Sequence, residues 1–484
     1  MKNTGIHAIS FYVPTLYLSI KEIAEARNIT PEKLTKGLGL QKMAIADVGE
    51  DTATMAANAL LSLIEKNNIN PLEIGRIYLG TESALDAAKP TATYAVGMVE
   101  AYLMPKFGAR SFKNCDVVDL TFACIGGVDA LLNCVDWVRG GSNRKAIVLT
   151  SDIAKYDLLS AGEYTQGAGA MALLITDNPN ILNIHEEVGV ATKSEPDFFK
   201  PLREVSKKTV LGSVLKELNL EIDSEVLLEK LNSQENPFWN VPNNKINIHR
   251  ETPVFDGEYS NKCYQDRVRE AIDHFYAQTN EIPLNFDKVI CHLPYAYQGR
   301  RMLAEIWFEW LCKTQNSNWI IENFGEVPTD HESLKIFLKS ISKHPLYLEF
   351  VNHKISQSEQ ASSEIGNMYT SSIFMALLSM FTVAKDSNEN LSHANIAFLG
   401  YGSGSKSKVF KGTVNSNYLE GLATAGNIFD VLNNRKQIGF GTYVSHHKGE
   451  IESPMADTYG FRLGKVVGED SPTQLGYRYY NFEG

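Results

Sequence analysis

The chain has 484 residues, with 46 Lys or Arg against 57 Asp or Glu, a formal net charge of −11. Apolar residues make up 44% and charged residues 21%, enough to bury a full core, so disorder, collagen-like repeats and coiled coil are excluded. A pI near 5.6 argues against a nucleic-acid binder, whose phosphate affinity rests on clustered Lys and Arg. A small anionic ligand needs only a few cations at a pocket mouth.

The stretch MKNTGIHAISFYVP has one Lys and no sustained apolar run ending in a cleavage site. A secretory signal is therefore not expected, and a cytoplasmic location is. The most apolar run, residues 373–384, falls well short of the ~20 residues that span a bilayer, so no membrane association is expected. The six cysteines, at 115, 124, 134, 263, 291 and 312, include no Cys-x-x-Cys pair. They are too sparse for a disulfide scaffold or a zinc site, and no metal is expected.

TATMAANALLSLIEK (52–66) has apolar residues at helical spacing, with Asp51 or Thr52 as its cap. RIYLGTES (76–83) begins as a short apolar strand. DVVDLTFACIGG (116–127) carries a strand into the helix ALLNCVDWV, which is apolar almost all round and so belongs in the interior. AIVLTSD (146–152) and GAGAMALLIT (167–176) are buried-strand candidates.

Residues 203–250 are polar and charged and read as surface helices inserted into the fold. DKVICHLP (287–294) is a strand entering a helical stretch with Met302, Leu303 and Ile306. A second peripheral helical segment is expected over 313–350, and an interior helix over NMYTSSIFMALLSMF (367–381). NIAFLGYGSG (395–404) is a strand ending in a Gly-rich turn. This alternation predicts an α/β fold with largely parallel strands, and the matching order of elements in two halves predicts an internal duplication.

Four positions at element ends carry possible chemistry. Cys124 lies where a strand meets a helix N-terminus, whose dipole favours a thiolate, and Gly126 and Gly127 leave backbone N–H groups open to a carbonyl oxygen. Read singly, it is either a nucleophile or a packed structural cysteine; Asp129, one turn on, opposes a thiolate. His292 ends the strand DKVIC at the edge where α/β folds place chemistry, and is either a proton donor to a developing alkoxide or a hydrogen-bonded polar residue. Glu82 is either a base or a capping carboxylate. Ser403, between Gly402 and Gly404, sits in a turn able to aim a backbone N–H at a substrate oxygen.

These signals occur together and in order. LGLQKMA (38–44), GTES (80–83), ACIGG (123–127), SDIAKY (151–156), GEYTQGAGA (162–170), PVFDGEYSNKCY (253–264), CHLP (291–294), GNMYTSS (366–372) and YGSG (401–404) together resemble the hydroxymethylglutaryl-coenzyme A synthases, members of the thiolase superfamily. GNMYTSS and the adjoining peripheral segment are most similar to the longer, eukaryotic-type members.

The resemblance implies a thiolase-like duplicated α/β/α/β/α layered fold with inserted peripheral helical segments. Residues 1–185 would form a half bearing Glu82 and Cys124. Residues 186–484 would form a half bearing His292, Asn367 and Ser403, with the insertions near 203–250 and 313–350. It also implies an acyltransferase of the mevalonate pathway, joining acetyl-CoA to acetoacetyl-CoA, with coenzyme A thioesters as substrates and no separate cofactor. Cys124 would carry the acetyl group, Glu82 would deprotonate its methyl, and His292 would hold and protonate the ketone oxygen of acetoacetyl-CoA. The N–H groups of Cys124 and Ser403 match the oxyanion hole, Asn367 the residue orienting the second thioester, and Tyr156 and Thr165 the acetoacetyl pocket. Lys42 matches a basic position near the coenzyme entrance.

The chain departs from the family at Ile125, where a Tyr is usual after the Cys, at Tyr164, where a Pro is common, and at Tyr297, in place of a Lys. Arg300 and Arg301 are suited to replace that Lys. Two other readings stay open: a polyketide β-branching synthase acting on acyl-carrier-protein thioesters, and a non-catalytic scaffold of the same fold. A homodimer joined through a sheet edge is expected by resemblance.

Overall fold

A computed structural model describes residues 3–233, 244–248, 251–457, 459–468, 470–471 and 473–484. Its main sheet holds nine strands: β1 (Thr4–Tyr12), β2 (Ile74–Gly80), β3 (Asp116–Leu120), β4 (Lys145–Ala154), β5 (Gly167–Asp177), β6 (Leu182–Thr192), β7 (Lys288–Cys291), β8 (Asn395–Gly402) and β9 (Lys406–Val414). They lie in the order β7-β8-β9-β6-β1-β5-β4-β2-β3. Read outward from its centre, the sheet repeats itself. From β1, two antiparallel pairings (β1–β5, β5–β4) lead to the parallel β4–β2. From β6, two antiparallel pairings (β6–β9, β9–β8) lead to the parallel β8–β7. This is the expected duplication, seen in pairing order.

The expectation of largely parallel strands is corrected. β4 and β5, and β8 and β9, are consecutive strands joined without a crossover helix, and the short return after Gly402 allows only an antiparallel pair.

Strand β5 shows how the layers form. All its residues but Asp177 are buried, and successive side chains leave opposite faces. Ala168, Ala170, Ala172 and Leu174 pack with α1 (Thr52–Lys66), whereas Met171, Leu173 and Ile175 pack with α3 (Gly126–Arg139). The small alanines let α1 approach closely. Helix α2 (Thr91–Phe107) joins the α1 cluster. Helix α4 (Gly257–Thr279) lies on β6, β8 and β9, and α5 (Gln298–Thr314) follows β7. Helix α6 (Ser372–Asp386), buried throughout from Ser372 to Thr382, shares the core of α3, as its all-round apolar sequence requires.

Residues 198–255 form a compact unit of their own, while 1–197 and 256–484 form the other. Within the small unit, Phe198–Phe199 pairs with Val254–Phe255, Arg203–Ser206 pairs with Lys245–Ile248, and helices Lys207–Glu217 and Ser224–Asn232 pack together. The helices were expected from the sequence; the strand pairs that close the unit were not. Over 313–350 the chain forms helices Ser317–Phe324, His331–Ile341 and the start of Pro345–Lys354.

The chain ends in a hairpin of β10 (Gly460–Val466) and β11 (Arg478–Glu483), whose Phe461 and Phe482 meet Tyr102 of α2. Among the described residues, no helix is long and apolar enough to cross a membrane.

Candidate active site

Leu120 ends β3, and the chain must then turn sharply into α3. Ala123 takes a left-handed φ of 41° to do so, which puts Cys124 just before the helix N-terminus, where the dipole favours a thiolate. The turn is clamped by close backbone packing. A Cβ on Gly80 would lie 2.4 Å from the Gly127 nitrogen, and one on Gly402 would lie 2.6 Å from the Phe122 carbonyl oxygen. Only glycine lets the ends of β2 and β8 come this near the Cys124 turn. Gly402 thereby sets the Ser403 turn beside Cys124.

Cys124 is 9% exposed, and its Sγ donates to Oε1 of Glu82 at 2.8 Å. Glu82 is held through Asp152, a fully buried residue of β4. Asp152 Oδ1 accepts from the Glu82 N–H at 2.9 Å and from Thr81 Oγ1 at 3.0 Å; Oδ2 accepts from the Thr370 N–H and hydroxyl. One carboxylate therefore joins the GTES and GNMYTSS segments, 290 residues apart at the Thr370–Gly80 hydrogen bond. Asp129, which by itself opposes a thiolate, is paired with Lys406 at 2.6 Å and Lys408 at 2.8 Å, so its charge is answered.

Tyr156 and Tyr369 lie over this pair. Burial first, then the nearby Cys124 and Glu82, raise the Tyr156 phenol. Burial likewise raises Tyr369, with Tyr156, Glu82 and Cys124 adding to it. Asn367 is buried, its N–H donates to the Thr165 carbonyl at 2.9 Å, and its Oδ1 accepts from the Tyr369 N–H at 2.8 Å. The structure thus gathers Glu82, Cys124, Tyr156, Thr165 and Asn367 in one linked set.

His292 follows β7. Its N–H donates to the Leu399 carbonyl at 3.0 Å, and its own carbonyl accepts from Tyr264 Oη at 2.6 Å. Tyr264 stacks on Tyr401 at 4.3 Å, and Tyr401 Oη donates to Asp197, which also accepts from the Gly404 N–H at 2.8 Å. Asp197 therefore ties the histidine strand to the turn bearing Ser403. Burial pushes the His292 imidazole down to about 3, so it is neutral, and its Nε2 has no hydrogen-bond partner among the described residues. A buried polar atom left open costs about 1–3 kcal/mol. Here it offers a bond to a substrate oxygen.

The basic residues fare differently. Lys42 pairs with Glu364 at 2.7 Å and Arg300 with the buried Glu359 through two hydrogen bonds. Arg300 is committed within the protein rather than free for a phosphate, because burying Glu359 unpaired would be costly, whereas the Lys42 pair is partly exposed. Arg301 is exposed and lies 5.8 Å from the Tyr295 ring. The Tyr297 ring fills the space a side chain on Gly39 would need and carries the Arg300 guanidinium at 3.9 Å.

Sequence reasoning missed Asp152, Asp197, Tyr264 and Tyr369 as parts of this network. The signal was present for Asp152 as a lone carboxylate inside the apolar run AIVLTSD, which must be hydrogen-bonded if buried.

A thiol at a helix start hydrogen-bonded to a carboxylate, with a neutral histidine after the matching strand of a duplicated sheet, fits a condensing enzyme of the thiolase-like fold. The family models for the N-terminal and C-terminal parts of hydroxymethylglutaryl-coenzyme A synthase match residues 1–180 and 242–448, respectively. The hydroxymethylglutaryl-CoA synthase of Haloferax volcanii is 27% identical over 93% of this chain and 94% of its own length. The cytoplasmic enzyme of Cricetulus griseus is 28% identical over 83% of this chain and 70% of its own. A solved structure of MvaS in complex with 3-hydroxy-3-methylglutaryl coenzyme A superimposes with a TM-score of 0.76 at 25% identity, all of both chains being covered. The chain belongs to the hydroxymethylglutaryl-coenzyme A synthase family and is an enzyme, an acyltransferase.

Proposed function

We propose that Cys124, Glu82 and His292 make 3-hydroxy-3-methylglutaryl-CoA from acetyl-CoA, acetoacetyl-CoA and water. The Cys124 thiolate attacks the acetyl thioester and free CoA leaves, taking up the thiol's proton. The N–H groups of Cys124 and Ser403 receive the carbonyl oxygen of the acetyl-Cys. Glu82 then removes a methyl proton, and the resulting carbon attacks the ketone of acetoacetyl-CoA. His292 Nε2–H passes its proton to the alkoxide, and the proton Glu82 took from the methyl returns the imidazole to its neutral form and Glu82 to its carboxylate. Water cleaves the remaining bond to Sγ: its hydroxyl completes the carboxyl, its proton restores the thiol, and the carboxyl ionises by releasing a proton to solvent. Tyr156 and Thr165 line the acetoacetyl site, and Asn367 orients its thioester.

The observation that carries this reading is the 2.8 Å hydrogen bond from Cys124 Sγ to Glu82. A carboxylate there suits methyl deprotonation. Coenzyme A thioesters as substrates, a place in the mevalonate pathway and a cytoplasmic location belong to the same proposal, as does a homodimer joined at the free edge of β3. A second reading has the acetoacetyl group on an acyl carrier protein. It is favoured by the commitment of Arg300 to the buried Glu359 and by the pairing of Lys42 with Glu364, which leaves Arg301 as the one of the three without an ion pair among the described residues.

Turnover with acetyl-CoA separates the two readings. Product from free acetoacetyl-CoA, with a lower KM than for the carrier-bound form, supports the first. Product from the carrier-bound thioester alone overturns it.

A further inference from the structure

The C-terminal hairpin lies beyond residue 448, where the family match ends, and it meets the start of α1 through polar groups. There Arg478 Nη1 and Tyr480 Oη both reach Oδ2 of Asp51, at 3.2 and 3.0 Å. Asp51 is the N-cap of α1: its Oδ1 accepts from the Thr54 N–H at 2.9 Å, and the Thr54 hydroxyl accepts from the Asp51 N–H. The next residue, Thr52, is buried and donates its hydroxyl to the carbonyl of Ser83 at 2.8 Å. Ser151, beside the hub Asp152, donates in turn to the Thr52 carbonyl at 2.8 Å. Ser83 is the residue after Glu82.

The hairpin also grips the far end of the segment that Glu82 begins. Tyr477 and Tyr480 pack on Tyr94 in the first turn of α2, with ring centroids 5.5 and 5.9 Å away. Lys89 lies over the same ring at 3.7 Å, and its N–H donates to Asp86 at 2.7 Å. The hairpin is itself fixed independently of these contacts, by the Leu463 N–H to the Gly49 carbonyl at 2.8 Å and by the Phe461 N–H to Asn58 Oδ1 at 2.8 Å. Residues 83–91 are therefore held at both ends by an element far away in sequence.

We propose that the C-terminal hairpin is a positioning element for the Glu82 carboxylate, acting through Arg478 and Tyr480 on Asp51, then Thr52 and the Ser83 carbonyl. Neither hairpin residue touches substrate. Their work is to stop α1 and the Glu82 segment from sliding apart, and a small displacement of a base is costly because proton abstraction needs a defined approach. The inference rests on Glu82 being the base.

The test compares the two half-reactions in the full-length enzyme. In Arg478→Ala, acetyl-Cys124 should form at the wild-type rate from acetyl-CoA. The condensation kcat should fall about tenfold with KM for acetoacetyl-CoA unchanged. Tyr480→Phe, which keeps the ring packing and removes one hydrogen bond, should show a smaller fall of the same kind, and Arg478→Lys should recover most of the rate. Unchanged condensation in both Arg478→Ala and Tyr480→Phe, or an equal loss of acetylation and condensation, overturns the proposal. Glu82→Gln is measured alongside: if that variant condenses at the wild-type rate, the assignment of the base fails rather than the role of the hairpin.

Discussion

At Cys124 the sequence offered a thiol at a helix start and an unfavourable Asp129 one turn later. The structure resolves the conflict with two lysines of β9 on that carboxylate. No spacing rule joins Asp129 to Lys406 across 277 residues, so this compensation was not legible. His292 was legible as a strand-end residue, but its neutrality was not, since it arises from burial among elements distant in sequence. The state of His292 has a consequence in solution. Its folded value of about 3 lies below the ordinary 6.5, so as pH falls below 6.5 the unfolded chain takes up a proton that the native chain refuses. Its contribution makes the native state less stable toward acid, down to about pH 3. The His292 ring signal in NMR should not titrate between about pH 4 and about pH 8, and condensation should show no acid limb from this residue. A titration near the ordinary value contradicts the buried, neutral histidine.

Among the elements, the long apolar strands and helices could be read directly. TATMAANALLSLIEK forms a helix over the stretch that its periodicity marks, capped by Asp51, and GAGAMALLIT forms a buried strand. Strand direction could not be read, because apolar runs look alike in parallel and antiparallel pairs and only the connections differ. The terminal hairpin went unread although RYYNFE alternates as a half-buried strand does; six residues carry that signal weakly without a partner. Strand β3 is the last in the sheet order, so its outer edge is unpaired among the described residues. Such an edge recruits another strand. A second copy meeting it gives a particle of twice the 53.8 kDa chain mass, and light scattering should read that value. Residues 118 and 120 face β2, so the Val117 N–H faces outward. Replacing Val117 with Pro removes that edge donor and should shift the particle toward the monomer. A monomer in the wild type contradicts pairing through this edge.

At the scale of the molecule, 484 residues and a charge of −11 admit several ordinary domains and a wide range of ligands. The structure instead arranges most of the chain as one duplicated sheet with its core helices, and sets residues 198–255 apart as a unit. What made the site legible was the ordered set of short motifs, because each sits where a strand gives way to a turn or helix. What remained hidden was the support between them: Asp152 linking GTES to GNMYTSS, Asp197 linking the His292 strand to the Ser403 turn, and Asp51, through Thr52, linking GTES to the terminal hairpin. All of it surrounds the proposed chemistry, in which Cys124 carries the acetyl group and Glu82 makes it a carbon nucleophile. Intact-protein mass measured after acetyl-CoA, and again after an acetoacetyl-CoA chase, tests this most directly. One acetyl group should be added, absent in Cys124→Ser, retained through the chase in Glu82→Ala and discharged in the wild type. A wild-type chain that takes up no acetyl group, or a Glu82→Ala chain that discharges it as fast as the wild type, would contradict that chemistry.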